Sequence, residues 1–187
     1  MRFRKSNYIL SGFLFALILF KGSAYGWKND NGLEESVDHY RELFRNKNLY
    51  VLFSDYTDSD LKKEIFSLIR KIGKDKKTAG LVAERLGFPS AAALNKAEPE
   101  SIVKRMIFNM QNPPAVPGAI INNRYYMESY LTLSLLFAPY DKNLSIDKKK
   151  VNSKSAEIDF SCREYTVTAF YVLRKNIWYM TTEKYIR

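Results

Sequence analysis

Cysteine and histidine are almost missing from this chain of 187 residues; Cys162 and His39 are the only examples. A single cysteine excludes an internal disulfide, so the core must hold the fold unaided. It also excludes dithiol exchange, which needs an attacking thiolate and a resolving thiol. Without CxxC or a pair of histidines, zinc lacks its ordinary ligands. A Ser-His-acid or Cys-His site would have to use His39, which lies between Asp38 and Tyr40 with none of the usual motifs around it. No GxxxxGK[ST] or GxGxxG segment occurs, so no Gly-rich phosphate cradle is signalled. Asp55, Asp58 and Asp60 cluster, but their order lacks the glycine and distal glutamate of an EF-hand loop. They read instead as acids at a helix N-terminus, where they satisfy orphan amides and complement the helix dipole. The sequence therefore predicts no catalytic residue, no metal and no cofactor.

Long apolar runs are also scarce, and the one present is at the start. Arg2, Arg4 and Lys5 precede an apolar stretch from Tyr8 to Phe20, followed by Gly22-Ser23-Ala24-Tyr25-Gly26. These are the n-, h- and c-regions of a secretory signal peptide, residues 1–26, with cleavage expected near Gly26. The stretch is shorter than the roughly 20 residues that a membrane-spanning helix needs. No cysteine lies at the cleavage site, which excludes a lipoprotein anchor. The expected location is periplasmic or secreted, with no transmembrane segment after cleavage. Lys and Arg outnumber acids 30 to 20, for a formal net charge of +10. The basic residues are spread among the acids, unlike the one-sided patch of a nucleic-acid binder, and no nucleic-acid partner is expected. Cys162 reads as a small buried hydrophobe; pairing with another chain is the alternative.

What remains patterns as mixed helix and strand, an α/β (α+β) chain. Leu33, Val37, Tyr40 and Phe44 predict a helix over 33–46. Leu49–Phe53 (LYVLF) is a short apolar run that predicts a buried strand. Thr57 and Asp60 have capping-box spacing ahead of a helix over 59–72, striped by Leu61, Ile65, Leu68, Ile69 and Ile72 and stopped by Gly73. Residues 76–112 read as helical, with Leu81, Val82 and Leu86 inward, a Ser90 cap, and Pro99 at a helix start. A strand over 119–121, an Asn122-Asn123 turn and a returning strand over 124–127 follow. An apolar helix then runs to Pro139. Residues 141–155 are polar and Lys-rich and read as an exposed linker. Tyr165–Leu173 and Ile177–Thr181 form a predicted hairpin turning at Arg174-Lys175-Asn176.

Two of these segments resemble the thioredoxin-like proteins of the DsbA type. In Tyr50–Leu61, Asp58 and Leu61 occupy the places of the two cysteines of the CxxC. In Val116-Pro117-Gly118-Ala119-Ile120-Ile121-Asn122-Asn123, Pro117 stands as the cis-proline, and 76–112 sits where that family inserts a helical subdomain. The resemblance implies a thioredoxin-like domain over 27–140 with a helical insertion, and a C-terminal β-hairpin extension over 156–187. The chain departs from the family by lacking both cysteines and any apolar strand after the 59–72 helix. What survives is the surface beside Pro117, which in that fold pairs with an extended peptide. The resemblance thus implies a redox-inactive protein that binds a peptide or partner protein, such as envelope secretion, conjugation or assembly machinery. Its implied binding residues are Val116, Pro117, Gly118, Tyr56, Asp58 and Leu61. Two other classes stay open: a secreted enzyme, such as a hydrolase, with scattered site residues, and a secreted effector or structural subunit.

Overall fold

A computed structural model describes residues 32–113, 122–141, 143–163 and 165–185. The expected signal peptide, the Val116-Pro117 bond and the strand over 119–121 lie outside the described residues.

Helix α1, Leu33–Arg45, buries Leu33, Val37 and Tyr40, and carries Glu34 and Glu35 in its first turn and Arg45 in its last. Those charges complement the helix dipole. Helix α2, Leu49–Tyr56, corrects the expected strand: LYVLF is helical, with Leu49, Leu52 and Phe53 buried and Val51 exposed. Spacings of three and four residues are what a helix needs to turn one stripe inward. Packing against α1 and its neighbours outweighs the β preference of Tyr, Val and Phe.

Helix α3, Ser59–Ile72, buries Leu61, Ile65, Ile69 and Ile72 as its stripe predicts. Its cap is Asp58, which accepts from the Asp60 N–H, and not Thr57. Helices α4 (Ala79–Arg85), α5 (Ala91–Lys96) and α6 (Pro99–Gln111) follow. Ser90 caps α5 through the Ala93 N–H, and Pro99 opens α6. Leu81 is exposed, against expectation, because Ala79, Val82 and Ala83 take the inward face of this short helix.

Helix α7, Arg124–Phe137, takes in the expected returning strand 124–127 as its first turn. Asn123 explains the difference, since it works as a cap and not as a turn residue. Its Oδ1 accepts from the Tyr126 N–H at 3.0 Å, while its Nδ2 donates to the Ile72 carbonyl at 3.0 Å and to Thr78 Oγ1 at 2.9 Å. The side chain is fully buried. A 3₁₀ turn, Ala138–Tyr140, ends the helical part.

Four antiparallel strands then run in sequence order: β1 (Ser145–Val151), β2 (Ser155–Ser161), β3 (Thr166–Arg174) and β4 (Ile177–Thr181). The fold is α+β. Strand β1 corrects the expected linker. Across the ladder Lys148 stands opposite Asp159 and Lys150 opposite Glu157, while Lys149 pairs with Glu34 of α1. Opposite charges in directly facing positions stabilise a strand pair, and Lys on an outer strand discourages edge-to-edge association. Strand β2 alternates cleanly, with Ala156, Ile158 and Phe160 inward. The β3–β4 hairpin forms as predicted, with Lys175 at φ 51° and Asn176 at φ 64°. Positive φ at both central residues is the geometry that matches strand twist.

The sheet packs its inner face on the helices. Ile158, Phe160, Tyr171, Trp178 and Met180 share one apolar core with Leu33, Val37, Leu52 and Leu61. Tyr40 donates its hydroxyl to the Trp178 carbonyl, and the Tyr140 and Tyr171 hydroxyls lie 3.0 Å apart. Burial pushes all three phenols far above the ordinary tyrosine range, so they stay protonated.

Candidate functional site

Of the residues singled out in the sequence, Tyr56, Asp58 and Leu61 meet at the α2–α3 junction. Val116, Pro117 and Gly118 lie outside the described residues. Helix α2 ends at Tyr56, and Thr57 then extends to bridge Met180 in parallel, with the Asp58 N–H donating to the Met180 carbonyl at 2.8 Å. The junction is in effect a single added rung on the outer edge of β4.

Each of these three side chains already has an occupation. Tyr56 is half-buried, its hydroxyl 3.1 Å from His39 Nε2 and its ring against Tyr40. Asp58 is fully buried; one oxygen caps α3 and the other lies 2.7 Å from Arg174 Nε. Arg174 also reaches Asp60, which is held by Lys63 at 3.0 Å as well. Lys63 first, and then Arg174, keep the Asp60 carboxyl below its usual range. Leu61 belongs to the core. This constellation ties helix α3 to the β3–β4 hairpin, and neither Asp58 nor Leu61 presents a surface to a partner. Cys162 is half-buried and packs on the core edge. Among the described residues, no three His, Cys, Asp or Glu side chains group as metal ligands.

Open surface occurs elsewhere. A groove of about 310 Å³ runs between the C-terminal half of α7 and the sheet. Its helical wall is Thr132, Leu135, Leu136 and Pro139; the sheet contributes Val167–Phe170 of β3 and Met180–Glu183 at the end of β4. Met127, Leu131 and Leu135 follow one another at four-residue steps on α7 and are exposed, Leu131 by 54% and Leu135 by 66%. Such steps place them on one helix face, and that face leads into the groove through Leu135. The Thr181 hydroxyl, on the groove lining, is buried without a hydrogen-bond partner among the described residues.

The sequence held a trace of this surface. YLTLSLLF, Tyr130 to Phe137, has apolar residues on every side of the helix, more than one packed face can bury, and such a helix leaves some of them outside. Compared with protein-family models, curated proteins and solved structures, the chain matches none, and nothing among them points to a thioredoxin-like protein.

Proposed function

We propose that this chain is exported and that its folded part is a redox-inactive module that docks a partner protein in the α7–sheet groove. One observation carries the docking: Leu135 stands two-thirds exposed at the rim of an apolar groove. Contiguous exposed apolar surface beside a polar rim marks interaction sites, and the groove volume lies at the lower end of the range for ligand sites. The n-, h- and c-regions of residues 1–26 support export to the periplasm or beyond. The single cysteine supports redox inactivity. A thioredoxin-like ancestry is not needed for this proposal, since the segment that would supply that fold's first strand is helix α2.

A photo-crosslinking residue at Leu135, in the protein expressed in its own host, tests the docking. Expected are discrete adducts with a partner protein that are missing when the same residue replaces exposed Lys76, away from the groove. No adduct at 135, or the same adducts from both positions, overturns the proposal.

A further inference from the structure

We infer that the partner enters the groove as an extended strand that pairs with the open edge of β3, an inference that rests on the docking proposed above. Strand β3 spans Thr166–Arg174, yet β4 pairs only with Phe170–Arg174. On the opposite side β2 pairs with β3 from Thr166 to Val172. Thr166–Ala169 therefore have a neighbour on one side and, among the described residues, no strand on the other.

The direction of the backbone groups follows from the ladder. The Cys162 N–H donates to the Tyr165 carbonyl, and the Leu173 N–H to the Lys154 carbonyl. In an antiparallel pair the residues alternate between facing the partner strand with both groups and facing away. Odd-numbered residues of β3 thus address β2. Thr166, Thr168 and Phe170 address the other side, where Thr181 of β4 stands opposite Phe170. The N–H and C=O of Thr166 and Thr168 point into the space that β4 vacates when the chain turns into the 3₁₀ segment Glu183–Tyr185.

That space is the groove. Val167, Thr168, Ala169 and Phe170 all line it, although successive side chains of a strand point to opposite faces. Consecutive residues share a groove in this way where it opens on the strand edge. Backbone groups on an open edge template an added strand, with main-chain bonds giving affinity and alternate side chains giving selectivity. Alternate side chains of the incoming segment fall beside Leu135, Leu136 and Pro139, so those positions are apolar. The charged side chain of the groove lining is Glu183, exposed at its end, and charge complementarity puts Lys or Arg of the segment there. The occupant is an extended partner segment with alternating apolar residues and a basic end.

The test uses residues 27–187 and a synthetic peptide of alternating valine and threonine ending in lysine, beside the same peptide N-methylated at alternate residues. The plain peptide is expected to slow hydrogen exchange of the Thr166 and Thr168 amides at least tenfold, and the methylated one to bind at least tenfold more weakly. Thr168→Pro removes an outward N–H without touching the β2 ladder, and is expected to abolish peptide binding while the protein stays folded by circular dichroism. Should that variant unfold, the methylated peptide carries the same comparison on the native chain. Equal binding of both peptides, or none at millimolar concentration, overturns strand pairing. Adducts at Leu135 in that case leave the docking itself standing. Protection of the same amides by dimerisation without peptide overturns the partner segment in favour of a second copy.

Discussion

Asn123 shows how much one side chain can fix. It uses one oxygen and both amide hydrogens on three different elements, so α7 is clamped where α3 ends and α4 begins. Loss of an N-cap costs about 0.5–2 kcal/mol, and each buried group left unpaired about 1–3 kcal/mol more. Asn123→Ala is therefore expected to destabilise by several kcal/mol in chemical denaturation, and Asn123→Asp, which keeps the cap but sets a buried carboxylate oxygen against the Ile72 carbonyl, by at least as much. A change under about 1 kcal/mol for the alanine variant would contradict the clamp. In the sequence Asn122-Asn123 carried the same local information as a turn. The carbonyl of Ile72 and the hydroxyl of Thr78, which decide between cap and turn, are some fifty residues away and leave no local mark. Leu81 failed to read for a related reason: on a helix of seven residues, the inward arc is filled by Ala79, Val82 and Ala83, and Leu81 falls outside it.

Among the elements, those with long and regular periodicity were legible: α1, α3, α6 and the β3–β4 hairpin all follow their patterns. LYVLF was not, because a run of five apolar residues fits a buried strand and a buried helix equally well until its neighbours are known. The lysines of β1 looked like solvated linker until Glu157 and Asp159 were seen to stand across from two of them. The groove was the least legible of all, since an open edge is defined by where β4 stops. One joint between elements responds to pH. Glu64 on α3 accepts from the Tyr185 hydroxyl at 2.6 Å and pairs with Lys184, and the Tyr185 bond, then Lys184, lower its pKa. A carboxyl lowered on folding stabilises above its unfolded pKa, about 4.3, and that contribution is lost as pH falls through the lowered value. Wild type is expected to exceed Glu64→Gln in Tm at pH 7 by an amount that vanishes by about pH 3. The pair is partly exposed, so the difference is small, a few tenths of a kcal/mol to about 1. A gap that persists unchanged into acid would assign it to packing.

For the molecule as a whole, the sheet and the helices stand or fall together. Trp178 is fully buried where β4 meets α1 and α2, and Trp178→Ala is expected to cost about 3–5 kcal/mol, a large share of the 5–15 kcal/mol typical of a domain. Retention of cooperative unfolding at the wild-type midpoint would mean that β4 is an appendage. The same protein is expected to show no insulin reduction, and any turnover abolished by Cys162→Ser would return that thiol to the active chemistry.

The rung between Thr57 and Met180 sets a timetable. A chain made from its N-terminus delivers α1, α2 and α3 long before the strand that completes them. Until Met180 arrives, the start of α3 has no sheet to lean on, and the Tyr40 hydroxyl has no Trp178 carbonyl to accept its hydrogen bond. The early helices must wait, exposed, for residues 177–181. A molecule built this way completes its core in one late step, and anything that binds it before that step has the whole helical half to hold.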